Sequence, residues 1–273
     1  MRILIYANSS YPTINLIMFS KQFLDVENSP PTLLTIMSPN KAGRPSHNNI
    51  IAEQEQIKPV DKHYLTKNRI GQPVNQVIEE IQEGGYDLLI LGDRQKKQTR
   101  PIFQISETIR IAKKAPCPVI VVKGEAESIK RILICDSGQD TSRALSHFTA
   151  KLAEILPGEE DITILHVMSQ ISAGPGVIGK QLRADAEKLI KEHTPEGTVL
   201  EQDTHILEYP GIHSVPKVRH GLVVDEILDE ARSGNYDLVV IGAFVNKGLE
   251  RFFLDDLAKK ILIQIDRPIL VVR

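Results

Sequence analysis

Short runs of four to seven mostly apolar residues recur along this chain. In the first half the runs cover residues 3–6, 33–37, 88–91 and 119–122, and in the second half they cover 132–135, 162–168, 238–241 and 269–272. Strands that helices cover on both faces have such continuous runs, whereas half-exposed strands alternate apolar and polar residues. The pattern predicts buried strands in mostly parallel sheets.

Two segments between these runs have the periodicity of amphipathic helices. The segment PVNQVIEEIQEGG places apolar residues at 74, 77, 78 and 81, and LVVDEILDEARSG does so at 224, 227, 228 and 231. Each segment ends at a glycine, which is a common helix stop. The alternation of strands and helices predicts an α/β fold of the doubly wound, Rossmann-like kind.

The two halves of the chain repeat each other. Residues 67–123 align with residues 217–273 without a gap, at a separation of 150. The identical pairs include Gly71 with Gly221, Gly84 with Gly234, Tyr86 with Tyr236, Asp87 with Asp237, Gly92 with Gly242, Phe103 with Phe253, and Pro118 with Pro268. The openings RILIYANSS and RILICDSGQ also match. Such a repeat predicts two tandem domains, residues 1–125 and 129–273, each with a five-stranded sheet flanked by helices.

The third strand of each half has the weakest signal. In the first half VDKHYLTKNRIG, residues 60–71, is acceptable as a strand. In the second half residues 204–209 and 215–218 compete for that position, and prolines interrupt the segment. We therefore expect an insertion or an extra hairpin over residues 199–216.

Charge and cysteine content exclude several classes of protein. The formal net charge is −2, so no positive field attracts a nucleic acid backbone. Two cysteines cannot form a disulfide framework in a chain of this length, which favours a reducing compartment. No apolar stretch approaches the ~18 residues of a membrane span. The sequence predicts a cytoplasmic protein without nucleic acid or membrane partners.

Several phrases of the chain resemble the universal stress protein family in its tandem, two-domain form. They are RILI at the start of each half, LHVM at 165–168, YDLLILG and YDLVVIG, and the closing APCPVIVVK and DRPILVVR. The resemblance implies that the last strands, 119–122 and 269–272, pair across a pseudo-twofold axis and make the chain an internal dimer. Two chains can associate further into a homodimer, and an unknown protein partner is expected.

The family's nucleotide-binding members carry a Gly-x2-Gly-x9-Gly-Ser/Thr pattern after the fourth strand, and the second half departs from it. Gly242 matches the first glycine, and Gly248 fits the glycine-rich loop. Val245 replaces the second glycine, while Asp255 and Asp256 replace the closing pair. Carboxylates at the start of the following helix complement its dipole and repel an incoming phosphate.

The first half departs from the pattern in a different way. Gly92 matches the first glycine, but Gln95 and Ile105 replace the others. Ser106 survives from the closing pair, and it is also suited to cap the helix that runs through residues 109 and 111. The lysine-rich segment at 94–100 either holds an anion or forms a solvated loop.

An acidic residue near the adenosine is a second feature that the resemblance implies. Asp136 has that position in the second half, whereas Ala7 has it in the first. Asp136 either contacts a ribose or caps the helix that begins near residue 140. Gly92 and Gly242 either approach a phosphate or only end their strands sharply.

No set of residues in the sequence has the spacing of catalytic machinery. The histidines at 193, 205, 213 and 220 are too dispersed for a metal site, and His166 in an apolar run is expected to be a hydrogen-bonded core residue. We therefore expect a non-enzymatic tandem universal stress protein, a regulatory or interaction module with impaired ATP sites and no cofactor. The alternative is an ATP–magnesium-binding stress protein with an atypical site and slow hydrolysis.

Overall fold

The computed structural model describes residues 1–8, 11–23, 30–37, 64–93, 106–124, 128–136, 141–168, 184–243 and 256–272. The chain divides into two compact units, Met1–Glu127 and Ser128–Arg273. Within each unit the central strands are almost completely buried, as the continuous apolar runs predicted. No helix in the described ranges is long and apolar enough to cross a membrane.

Unit 1 is a parallel five-stranded sheet with the order β3-β2-β1-β4-β5. Its elements in chain order are β1 Ile3–Ala7, α1 Thr13–Ser20 with a 3-10 turn at Lys21–Phe23, β2 Thr32–Met37, β3 Leu65–Ile70, α2 Pro73–Gly84, β4 Leu88–Gly92, α3 Glu107–Lys114 and β5 Val119–Val122. The strand expected within residues 60–71 is confirmed as β3.

Unit 2 has the same topology, with the strand order β10-β9-β6-β7-β8 and parallel pairing throughout. Its elements are β6 Arg131–Asp136, α4 Thr141–Ala153, β7 Glu160–Met168, α5 Ala186–Lys191, α6 Pro195–Ile206, β8 Ile212–His220, α7 Val223–Ser233, β9 Leu238–Gly242, α8 Asp256–Gln264 and β10 Ile269–Val272. The doubly wound, Rossmann-like fold predicted from the sequence is therefore confirmed in both halves.

We expected an insertion or an extra hairpin over residues 199–216, and of these alternatives the hairpin is wrong, because the segment forms the end of a helix and the start of a strand. Residues 195–206 form α6, which Thr194 caps through a hydrogen bond from the Gly197 N–H at 3.0 Å and which has Pro195 in its first turn. The chain then enters β8, which pairs in parallel with β7 over nine residues. Pro216 misled the prediction, because a proline is tolerated in a strand at the edge of a sheet, where β8 lies.

A buried glutamate joins the edge strand to its helix in each unit. In unit 1 the Glu80 carboxylate accepts hydrogen bonds from Lys67 Nζ at 2.6 Å, Arg69 Nε at 2.8 Å and the Tyr86 hydroxyl at 2.9 Å. Lys67 and Arg69 lie on β3, Glu80 lies on α2 and Tyr86 precedes β4. Burial acts to raise the pKa of Glu80, but these hydrogen bonds outweigh it, so the pKa is lowered.

The same cluster recurs in unit 2. Glu230 on α7 accepts from Lys217 Nζ at 2.8 Å, Arg219 Nη1 at 3.0 Å and the Tyr236 hydroxyl at 2.8 Å. The pKa of Glu230 is likewise lowered by these hydrogen bonds against the effect of burial. Each member stands 150 residues after its counterpart, so the repeat preserves the whole cluster.

The repeated phrase Gly-x-Tyr-Asp, residues 84–87, forms a packed joint between helix and strand. A Cβ atom at Gly84 would overlap the Tyr86 ring, so only glycine lets the ring lie across the helix end. The Asp87 carboxylate accepts a hydrogen bond from the backbone N–H of Arg2 at 2.8 Å and so holds the start of β1. Gly234, Tyr236, Asp237 and Arg131 repeat these contacts. Structural need therefore explains this part of the repeat.

Candidate functional site

The candidate sites lie where the strand order reverses in each sheet. Open α/β sheets bind ligands in the crevice at the carboxyl ends of the strands on either side of this point. In unit 1 these strands are β1 and β4, and in unit 2 they are β6 and β9. Gly92 ends β4 and Gly242 ends β9. Asp136 ends β6, and the pairing of Cys135 with Ile241 puts Asp136 level with Gly242.

Side chains of unit 1 cover Gly92. A Cβ atom at Gly92 would overlap Tyr11, whose side chain is therefore in close contact with the glycine. Tyr11 is 6% exposed, and its hydroxyl donates to the Gly124 carbonyl at 2.5 Å. The Gly92 carbonyl accepts hydrogen bonds from Asn8 Nδ2 at 2.7 Å and Thr108 Oγ1 at 3.3 Å. The space beside the Gly92 backbone, which a ligand would need for a close approach, is therefore filled by the Tyr11 side chain.

The N-terminus of α3 faces the same crevice through Thr108. Side-chain oxygen atoms of Ser106 and Glu107 already lie at this helix end. Ser106 Oγ accepts a hydrogen bond from the Ile109 N–H at 3.2 Å, so Ser106 is the N-cap of α3. Glu107 lies in the first turn of α3, where its carboxylate complements the helix dipole and accepts a hydrogen bond from the Tyr6 hydroxyl at 3.0 Å. A phosphate at this helix end would meet a carboxylate.

In unit 2, Asp136 contacts a histidine on the neighbouring strand. Asp136 Oδ2 lies 3.3 Å from His166 Nδ1, and the two residues are register partners on β6 and β7. The side chains are 0% and 9% exposed, respectively. His166 is therefore the buried, hydrogen-bonded residue that the sequence predicted. What the sequence did not reveal is that its partner is the candidate site residue Asp136.

The second half of the unit 2 candidate site is described only in part. Gly242 is half-buried at the end of β9, and α8 begins with Asp256, whose side chain is exposed. The acidic first turn expected for this helix is thus present at Asp256. Gly248, Val245 and Asp255 lie outside the described residues, as do Gln95, Ile105 and the lysine-rich segment at 94–100 of the first half.

Neither a reactive thiol nor a metal cluster accompanies these residues in the described ranges. Burial raises the pKa of the Cys135 thiol far above its usual range, and the neighbouring Asp136 charge adds to this effect. A thiol in that state is not a nucleophile near neutral pH. Within the part of the chain that the structure describes, no three histidine, cysteine or acidic side chains form a group that could hold a metal ion.

Tyr11, Asn8 and His166 are the site residues that sequence reasoning missed. Tyr11 and Asn8 follow β1 in a polar stretch, NSSYP, with no periodicity to show which way their side chains point. A signal for His166 was present, because the repeat aligns Asp136 with Ala7 and His166 with Thr35. Both positions change together between the halves, and Ala7 and Thr35 are register partners in unit 1.

Comparison with known proteins gives a family match and a set of similar folds. The model of the universal stress protein family matches residues 24–123 and 128–273. A universal stress protein from Archaeoglobus fulgidus DSM 4304 is 16% identical, with 100% of this chain and 98% of that chain covered and a TM-score of 0.67. A functionally unknown protein from Pseudomonas aeruginosa PAO1 is 17% identical, with 99% and 92% covered and a TM-score of 0.65. At these identities the structures show a shared fold. No curated protein matches the chain.

Proposed function

The chain belongs to the universal stress protein family, and we propose that within it this protein is a non-enzymatic, tandem regulatory or interaction module. Its two crevices descend from ATP sites that no longer bind ATP well. The protein works in the cytoplasm and acts by contacting an unidentified protein partner.

The contact of Tyr11 with Gly92 is the observation that carries this proposal. A ligand that approaches the Gly92 backbone must first displace the Tyr11 side chain, which is buried and hydrogen-bonded to Gly124. Exposing a large buried side chain costs about 1.5–3 kcal/mol, and the lost hydrogen bond adds about 1 kcal/mol. Affinity in unit 1 should therefore fall by roughly a hundredfold or more.

Charge supports the same proposal in unit 2. Asp256 lies in the first turn of α8, where the phosphate-binding members of the family have a small hydroxyl residue. A phosphate charge ~4 Å from a carboxylate is repelled by about 1 kcal/mol in water and about 4 kcal/mol at the effective dielectric constant of a protein surface. Either value weakens binding by a factor of roughly five or more.

Isothermal titration calorimetry with ATP and magnesium on the full chain tests the proposal. We expect no binding at ATP concentrations below about 1 mM, and a micromolar dissociation constant would overturn the proposal. Tyr11→Gly should open the unit 1 crevice and increase affinity. Tyr11→Phe is its matched control, because it removes the hydroxyl but keeps the ring over Gly92. In unit 2 the double variant Asp255→Gly, Asp256→Ser should increase affinity for ATP.

The alternative function is adenine-nucleotide binding through an atypical site, with slow hydrolysis. The buried position of Asp136 level with Gly242 favours it, and Gly248 is the further residue that the family pattern adds. In this case wild-type protein would bind ATP with magnesium, and Asp136→Asn would weaken that binding by tenfold or more. Absence of binding in the wild type would exclude the alternative.

The proposal also includes assembly. From the family resemblance we propose that β5 and β10 pair across a pseudo-twofold axis, which makes the chain an internal dimer, and that two chains form a homodimer. Sedimentation equilibrium tests the homodimer directly. A mass of twice 30.5 kDa supports it, and a mass of 30.5 kDa at all concentrations contradicts it.

A further inference from the structure

The edge strands β3 and β8 differ at residue 66 and its counterpart, Pro216. With β5 and β10 paired with each other, as proposed above, β3 and β8 are the remaining edges of the two sheets. Residue 66 of β3 is a threonine, whereas the residue 150 positions later on β8 is a proline. A proline on an edge strand opposes pairing with a further strand, because it has no N–H to donate.

The hydrogen bonds of β3 show which of its backbone groups face outward. The Leu65 N–H donates to the Pro31 carbonyl at 2.9 Å, and the Gly71 N–H donates to the Met37 carbonyl at 3.0 Å. The register between β2 and β3 is continuous, and in a parallel pair the residues of a strand bond alternately to one side and the other. Odd-numbered residues therefore bond to β2, and the N–H and C=O groups of residues 66, 68 and 70 point away from the sheet.

The same reasoning places Pro216 on the outward side of β8. The Gly221 N–H donates to the Met168 carbonyl at 3.2 Å, and the register with β7 is continuous, so the odd-numbered residues of β8 bond to β7. Residue 216 is even-numbered and faces outward. The proline thus removes a donor from the edge of unit 2, at the position where the edge of unit 1 keeps the Thr66 N–H.

The outward side of β3 is exposed and has free hydrogen-bonding groups. Thr66, Asn68 and Ile70 are all exposed, and Ile70 is 62% exposed. Within the described ranges, no backbone hydrogen bond joins the outward groups of these three residues to another part of the chain. A row of unpaired N–H and C=O groups is a template for pairing with another strand. The unit 1 edge is therefore open to a further strand.

The sequence of β3 is self-complementary about Asn68. In an antiparallel pair centred on this residue, Asn68 lies opposite its own copy in a second chain, and Thr66 lies opposite Ile70. All three residues have outward backbone groups, so each pair exchanges two hydrogen bonds, about six in total. Threonine and isoleucine are β-branched and pack well as a cross-strand pair. The Asn68 amide both donates and accepts, so it can bond to its own copy.

Charge on the other face of β3 is compatible with this pairing. There Lys67 would face Arg69 of the second chain, and like charges directly opposite each other are destabilising. Both side chains already contact the Glu80 carboxylate in their own unit, and Arg69 also contacts Glu79 and Glu83. The carboxylates thus leave no excess positive charge to repel a second copy. They also leave none to attract an acidic strand from a different protein.

We propose that β3 pairs antiparallel with β3 of a second copy of this chain, with a twofold axis at Asn68. This inference rests on the homodimer of the proposed function and names its interface. One open edge per chain closes the assembly at two copies, whereas two open edges would allow it to continue into a fibre. Pro216 on β8 therefore limits the assembly to a dimer.

Sedimentation equilibrium of the full chain with matched variants tests the interface. Thr66→Pro copies the proline that β8 has at the equivalent position, so β3 should still form, and it removes one outward N–H from each chain of the dimer. The loss of two hydrogen bonds should raise the dissociation constant of the dimer roughly thirtyfold or more. Thr66→Val keeps the N–H and a β-branched side chain, so this matched control should dimerise as the wild type does.

Charge variants at Asn68 test the position of the axis. Asn68→Asp places two carboxylates opposite each other on residues whose Cα atoms are about 5.5 Å apart, and Asn68→Lys places two ammonium groups there. Each variant alone should dimerise roughly tenfold more weakly, or worse. An equimolar mixture of the two variants should recover the dimer, because opposite charges then face each other. An interface elsewhere on the chain would not produce this recovery.

The outcomes separate this inference from the homodimer on which it rests. If the wild type dimerises and the variants dimerise equally well, or if the Asn68 mixture does not recover the dimer, the inference is wrong and the homodimer stands. If the wild type has a mass of 30.5 kDa at all concentrations, both are wrong. If the Asn68 variants lose the dimer alone and recover it when mixed, both stand, and this pair of variants decides the case in which Thr66→Pro does not fold.

Discussion

Replacing Glu80 with glutamine should destabilise unit 1 selectively. The change keeps the shape of the side chain and removes the charge that Lys67, Arg69 and Tyr86 contact. Glutamine offers a single carbonyl oxygen to these three donors. Its NH2 group cannot accept a hydrogen bond from any of them. The edge strand β3 should separate more readily from α2.

The structure sets the size of this effect. Breaking a buried ion pair by removing one partner costs about 3–5 kcal/mol. The Glu80 side chain is 1% exposed, but that of Lys67 is 49% exposed and can return to water. Arg69 keeps its contact with Glu83. We therefore expect the lower limit, about 3 kcal/mol in the free energy of unfolding of unit 1.

Hydrogen exchange followed by mass spectrometry measures the two units separately, which a single denaturation curve for a two-domain chain does not. Glu80→Gln should speed exchange in the peptides of β3, α2 and β4 roughly a hundredfold and leave unit 2 unchanged. Glu230→Gln should do the reverse. Glu79→Gln is the control, because that carboxylate is 51% exposed and lies 3.7 Å from Arg69.

Two results would refute this reasoning. The first is an effect of Glu80→Gln within 1 kcal/mol of the Glu79→Gln control, which would mean that the cluster contributes no more than a surface pair. The second is an equal loss of protection in both units after a change in one of them, which would mean that the units do not respond independently.

Four further predictions follow from contacts elsewhere in the fold. Gly84→Ala should destabilise unit 1 by about 1–3 kcal/mol, measured by hydrogen exchange in the peptides of α2 and β4, because the added methyl group overlaps the Tyr86 ring; unchanged exchange there would contradict this. Ser106→Ala should cost about 1 kcal/mol by the same assay, since it removes the N-cap of α3, whereas Ser106→Asp should cost little. In thermal unfolding against pH, the stability that Glu230 contributes is present above its unfolded pKa of about 4.3 and should be lost as pH falls through the lowered pKa of the folded state. At the alkaline end, burial raises the pKa of Tyr236 to about 12, so its contribution is present below the unfolded pKa of about 10 and should be lost as pH rises from there to about 12.

The sequence was sufficient for the fold because two independent patterns agreed. Continuous apolar runs identified the buried strands, and the repeat aligned strands of one half with strands of the other, at a separation of 150 for residues 67–123 and of 129 for the opening RILI. The one wrong element, the hairpin at 199–216, came from applying the rule against proline to a strand at the edge of the sheet. At the edge, β8 has a neighbouring strand on one side only, so the N–H that Pro216 lacks need not interrupt the hydrogen bonds of the sheet.

The candidate site was only partly predictable, because its character depends on where side chains point. The sequence located Gly92, Gly242, Asp136 and Ser106 at the carboxyl ends of strands or at a helix start, and the structure describes them there. It carried no sign that Tyr11 lies against Gly92. A tyrosine in a polar loop has no periodicity that could reveal its direction.

The glutamate clusters show the opposite case, a signal that was present and not recognised. Lys67, Arg69, Glu80 and Tyr86 all have identical counterparts 150 residues later. Surface charges have little reason to recur so completely after duplication, whereas partners of one buried carboxylate do. Residues of opposite charge that recur together at a separation of 150 therefore predict the cluster from the sequence.

Native mass spectrometry of the freshly purified chain tests most directly the claim that the ancestral ATP sites no longer bind ATP. We expect the mass of the unmodified 30.5 kDa chain or of its dimer, with no nucleotide attached at any stoichiometry. An ATP or ADP molecule retained at one or two copies per chain would contradict the account, because Tyr11 over Gly92, Asp256 at α8 or both would then fail to prevent binding.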